Sequence, residues 1–130
     1  MILPKLSAAI LSMALLGSAY AASSLDPDIS IDQWVLMSGA TNGAADAMGV
    51  CDEDLDKHRN TARAHLTRYA SEHGARIEQF DAMFEQGMIE GKKLVTDRSN
   101  LTSAKGERLL TGFHRDKSID YQIVKNALDT

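Results

Sequence analysis

From residue 31 onward, apolar positions return every three or four residues, and the stretches they define are closed by glycine. That is the pattern of amphipathic helices separated by short turns. Ser30 stands three residues ahead of Gln33, the reciprocal spacing of a capping box, and Asp32 adds a carboxylate where the helix dipole favours one. A helix is therefore predicted from Ile31 to about Met48. Its large apolar side chains are Trp34, Val35, Met37 and Met48, the residues between are small, and Gly39, Gly43 and Ala47 recur every four positions along one side. Glycine inside a helix costs roughly 1 kcal/mol relative to alanine. Its repetition predicts that another helix crosses there at close range.

Gly49 stands where a left-handed helix stop is expected, and Asp52 or Asp54 is the expected cap of a second helix with Glu53 and Asp56 in its first turn. This helix should run to His73, with Gly74 as its stop and Leu55, Ala62, Leu66, Tyr69 and Ile77 as its apolar stripe. A third is predicted from Ala75 to Val95 on the stripe Ile77, Phe80, Phe84, Met88, Gly91 and Val95. Gly87 and Gly91 lie four apart and make this helix the expected partner of the glycine strip on the first; helix-to-helix contact is predicted for Gly39, Gly43, Gly87 and Gly91 together. The same pattern also admits one long rod in which the second and third helices join through Gly74. A shorter helix, Ser103 to His114, carries Leu109, Leu110 and Phe113, and the tail Ser118 to Asp129 repeats Ile119, Ile123, Val124, Ala127 and Leu128 at helical spacing. The β-branched residues of that tail leave a short strand as the lesser alternative. The fold class is all-α, a small bundle of four or five helices.

The residues before this pattern have a different character. Lys5, an apolar run from Ala8 to Leu16 and then Ala19-Tyr20-Ala21 reproduce the order of a secretory leader cut after Ala21. The run is far shorter than the roughly 20 apolar residues of a membrane span. The expected organisation is a signal peptide over 1–21, a mobile arm over 22–29 containing Pro27, and one helical domain over 30–130, exported to the periplasm or beyond. Removing the leader takes away one cation and leaves 13 Lys plus Arg against 18 Asp plus Glu, a net charge of −5. That balance argues against nucleic acid and against anionic membrane surfaces, both of which select basic patches. No stable membrane anchor is expected.

Cys51 is the single cysteine, so an internal disulfide is excluded; it stands as a free thiol or as half of an intermolecular bridge in a homodimer. Following Val50, it fits best as a small, partly buried apolar side chain. The carboxylates next to it oppose thiolate formation, which speaks against a nucleophile. Asp52, Asp54 and Asp56 match the first ligands of a calcium loop, but Lys57 occupies the place of the obligatory glycine and Arg63 that of the bidentate glutamate. His58 and His65 share a helix face but lie about 10 Å apart along its axis, too far for one ion. His58 could pair with Asp54 one turn earlier, an arrangement more typical of a surface charge contact. The segment Gly87 to Lys93 has one residue too few between its glycines for a phosphate loop and lacks the following Ser or Thr. No metal site and no cofactor is expected.

With no catalytic constellation left, the leading expectation is a non-enzymatic exported binding protein of the inhibitor or immunity type, whose partner is another protein, in the most concrete version a basic one. Two alternatives remain open at this stage: a carrier of a small molecule or haem in an interhelical cleft, and a structural subunit of an envelope assembly.

Overall fold

The computed structural model describes residues 27–97 and 103–129, and within them five α-helices and no strand. They are α1 (Pro27–Ala47), α2 (Asp52–Glu72), α3 (Phe80–Asp97), α4 (Ser103–Lys117) and α5 (Tyr121–Asp129). The expected leader and residues 22–26 of the expected arm lie outside the described residues. α1 begins at Pro27, four residues before the capping-box reading places it. Proline suits the first turn of a helix, because its missing N–H is one that no helical carbonyl would bond.

Steric effects set the breaks between helices. Gly49 has φ +97° and Gly74 φ +71°, the left-handed values that only glycine adopts without strain, and they end α1 and α2. α2 and α3 are consequently separate helices with residues 73–79 between them. α3 starts at Phe80, later than the predicted Ala75, so Ile77 packs from the connection and not from the helix. The cap of α2 also differs from expectation. Cys51 occupies the cap position without a side-chain hydrogen bond, and Asp52, Glu53 and Asp54 form the first turn. Their contribution is to the helix dipole, reinforced by an ion pair from Asp54 to Lys117 at 3.3 Å. Replacing both Asp52 and Asp54 by alanine is expected to lower stability by about 1 kcal/mol, less than loss of a true side-chain cap would cost. A shift of the urea midpoint, reduced in high salt, is the corresponding measurement.

α1 is the central element, with every residue from Met37 to Ala45 buried. A helix covered on all sides needs small, uncharged residues, and the run Gly39 to Ala45 supplies them, its two polar members Thr41 and Asn42 donating to the carbonyls of Met37 and Leu55. On one side it meets α3 through its glycines. A Cβ at Gly39 or Gly43 would overlap the carbonyl oxygen of Phe84 or Met88, and a Cβ at Gly87 or Gly91 would overlap that of Leu36 or Ala40. The opposed positions advance together along both chains, so α1 and α3 run parallel and touch backbone to backbone. The expected glycine contact is therefore present at all four positions.

α2 runs antiparallel to both and closes the next side. Val35 packs with Leu66, Phe80 and Phe84; Ile31 with Tyr69 and Ala70; Ala44 and Ala45 with Leu55, Leu109 and Phe113. Across the outer seam between α2 and α3, Arg59 reaches Asp81 at 3.0 Å and Glu85 at 3.2 Å, and Arg63 reaches Asp81 at 2.6 Å. The same guanidinium groups lie over the rings of Phe84 and Phe80, at 5.1 and 4.7 Å from the ring centres. Each arginine thus covers a core aromatic while holding a carboxylate at the surface. α5 is fixed to the far end of α2: Tyr69 donates to Asp129 at 2.7 Å and Tyr121 to Glu72 at 2.6 Å. Burial, then the carboxylate each one faces, pushes both phenols up to about 12.

Candidate functional site

The chemistry of the interior gathers around His58. It extends the apolar stripe of α2 as Leu55, His58, Ala62, Leu66 and Tyr69, and is only 2% exposed. Its ring stacks on Phe113 of α4 with centroids 4.6 Å apart and tilts against Phe84 of α3 at 6.5 Å. From α1, the Asn42 amide nitrogen lies 3.1 Å from His58 Nδ1 and donates at 2.9 Å to the carbonyl of Leu55. The Leu55 carbonyl can only accept, so it orients the Asn42 amide with its NH2 group toward both partners. Nδ1 must then be the acceptor, and the ring proton sits on Nε2. Asn42 is itself 1% exposed, so these bonds are made in a dry environment where an unmet polar group is costly.

His58, His65, Ser38, Thr61 and Asp116 line, together with Trp34, Leu66 and the underside of α5, a mainly apolar cavity of about 50 Å³. Several of these polar groups are committed: Thr61 donates to the Lys117 carbonyl at 2.8 Å, and His65 Nε2 donates to that of Ile119 at 2.7 Å. Ligand pockets for ordinary small molecules run from about 300 to 1,000 Å³. A cavity of this size suits a few waters and does not admit a haem. The glycine faces expected to frame a cleft instead press against each other.

Burial lowers the His58 pKa from 6.5 to about 3. The folded state thus prefers neutral imidazole. The stability this contributes is complete above the unfolded-state value near 6.5 and is lost as pH falls from there toward 3. At 1.36 kcal/mol per unit, lowering the pH from 6.5 to 5 should remove about 2 kcal/mol through this one group. Urea unfolding at the two pH values measures it, and equal stabilities would mean that His58 is solvated.

The remaining sequence candidates are dispersed. Cys51 is exposed, not part-buried, because the turn after Gly49 carries it to the outside while Val50 turns into the core. Asp52 and Asp56 point outward from α2 and Asp54 is held by Lys117, so the calcium-like triplet is wound into a helix instead of around an ion. His58 does not pair with Asp54. His73 donates from Nδ1 to the Tyr69 carbonyl at 2.9 Å, and His114 lies exposed on α4. Among the described residues no three His, Cys, Asp or Glu side chains converge as a metal site. Lys92, from the segment resembling a phosphate loop, pairs with Asp46 of α1 at 2.8 Å.

Sequence reasoning missed the Asn42–His58 pair. The signal available was the spacing of His58 itself, which continues the stripe from Leu55 and so marks it as a core position.

A second concavity is open and larger. Between the N-terminal half of α2 and the turn joining α4 to α5 lies a groove of about 620 Å³, with Glu53, Asp56, Lys57, Asn60 and His65 along one wall and Lys117 and Ile119 on the other. Glu53 and Asp56 are exposed, and neither takes part in the ion pairs found among the described residues. By contrast, Asp46, Asp54, Glu72, Asp81 and Glu85 are each engaged by a lysine or arginine.

Fold and site together define an all-helical bundle built on a parallel glycine-packed helix pair, with a neutral histidine at its centre. No known family model, curated protein or solved structure matches the chain. Among the described residues no helix is long and apolar enough to cross a membrane.

Proposed function

We propose that this is an exported, non-enzymatic binding protein of the inhibitor or immunity type, which covers a basic surface on another protein of the cell envelope. The observation carrying this reading is the open groove beside α2, where Glu53 and Asp56, next to Lys57, present exposed carboxylates that take part in none of the ion pairs found among the described residues. Unpaired acidic groups along a concave wall attract a cationic partner at long range and select its orientation on contact. The backbone contact between α1 and α3 makes the frame behind that wall stiff, which limits the entropy lost on binding.

A photoreactive residue at Asn60, inside the groove, should cross-link in intact cells to one predominant basic protein. The same residue at Gln86, on the exposed face of α3, should give none of that adduct. Glu53→Lys with Asp56→Lys should abolish the Asn60 adduct without lowering stability. Equal labelling from both positions, or an adduct indifferent to charge reversal, would refute the reading.

A further inference from the structure

We infer that the seam between α2 and α4 is an acid-operated joint: a proton on His58 releases α4 from a pair of helices, α1 and α3, that stays packed. The geometry around the ring carries this. Asn42 aims an N–H at Nδ1 and cannot turn its oxygen there, because its amide is held by the Leu55 carbonyl. An imidazolium would set N–H against N–H at Nδ1.

No other described histidine has this property. His65 and His73 donate to backbone carbonyls, at 2.7 and 2.9 Å, and keep those bonds when protonated; His73 also faces Asp129 at 3.6 Å, where a proton strengthens the contact. His114 is exposed and meets Phe113 edge-on. His58 alone is needed as an acceptor.

The charges around the joint come from each packed element. α1 presents only neutral Ser38 and Asn42. α2 contributes Arg59, whose guanidinium lies over the Phe84 ring and opposes a second positive charge, together with His65 on the cavity wall. α3 meets the ring with Phe84. α4 brings Phe113 and the buried carboxylate of Asp116, which lines the same cavity. An ion pair from Asp116 to an imidazolium would tie α4 to α2 and keep the seam closed, the outcome that a flat pH dependence of α4 protection would reveal.

The two halves of the molecule respond differently to acid because they are held by different forces. α4 is held to α2 by the apolar contact of Leu55 with Leu109 and Phe113, the His58–Phe113 stack, the Asp54–Lys117 pair and the Thr61 bond to Lys117, and the stack places the His58 imidazole in the middle of that seam. α1 and α3 meet through four glycines and backbone carbonyls and through Val35 against Phe80 and Phe84, with the Asp46–Lys92 ion pair at the edge. Release of α4 uncovers Leu55, Ala44 and Ala45 on the remaining core, an apolar surface available only in acid.

Amide hydrogen exchange on the full chain, corrected for intrinsic rates, tests this from pH 7.5 to 4.5. Protection across 104–117 should be constant above about 6.5 and fall roughly tenfold per pH unit below it, since opening takes up one proton. Protection in 31–47 and 80–96 should fall much less. His58→Gln, which can still accept from Asn42 but does not titrate, should flatten that slope, and His65→Gln should leave it unchanged. Should His58→Gln fail to fold, the imidazole nitrogen shifts of the wild type decide: the proton must reside on Nε2, and protonation must coincide with the loss of protection. A uniform fall over all helices, a flat wild-type slope, an unaltered slope in His58→Gln, or an Nδ1–H tautomer would each overturn the inference.

Discussion

Replacing Gly91 or Gly43 by leucine is expected to lower stability by more than about 3 kcal/mol, beyond the usual 1–3 kcal/mol of an overpacked core. The reason is what the new atoms meet. A Cβ at either position overlaps a backbone carbonyl, of Ala40 or Met88, and not the movable end of a side chain. Relief requires α1 and α3 to separate along their whole contact, which opens the packing of Val35 and Phe84. Even Gly91→Ala should destabilise, although alanine is the better helix former by roughly 1 kcal/mol. Urea midpoints of the four single alanine variants, at Gly39, Gly43, Gly87 and Gly91, should all fall. A variant whose midpoint rises would show that its site is open and that the helices lie further apart.

Phe113→Ala should cost about 3 to 5 kcal/mol, the range for removing a buried aromatic side chain. Phe113 is fully buried, packs with Ala44, Ala45, Leu55 and Leu109, and carries the stacked face of His58. Its loss leaves a hole beside a polar pair that depends on dry surroundings. Water entering that hole would solvate imidazolium, so the variant should also show a shallower pH dependence than the wild type between pH 6.5 and 5. Phe113→Leu keeps most of the volume and should recover much of the stability without restoring the stack. A loss below about 1 kcal/mol for the alanine variant would place Phe113 at the periphery of the core, contrary to its burial.

Both predictions begin from residues legible in the chain, but to different degrees. The glycines are visible because a four-residue repeat of the least favourable ordinary helix residue has few uses other than close approach. His58 was legible as a core position from its place in the α2 stripe, but its nearest chemical neighbour in sequence is Asp54, four residues away, and not Asn42 on another helix. The groove beside α2 is assembled from residues as far apart as Glu53 and Ile119, and nothing in either segment indicates the other.

What the chain determines by itself is local. Gly49 and Gly74 end helices because their positive φ is strained for any side chain, and the stripes Leu55 to Tyr69 and Phe80 to Met88 declare helices because burial on one face needs that period. These rules act within a turn or two and can be read without knowing the neighbours. Only the tertiary structure decides which stripe meets which. The parallel pairing of α1 with α3, the exposure of Cys51, its place as an N-cap without a side-chain bond, and the choice of Nδ1 as an acceptor all depend on atoms distant in sequence. The amide of Asn42 has two equivalent orientations in a free helix. It acquires one, and dictates where the His58 proton sits, when the Leu55 carbonyl is brought within 2.9 Å.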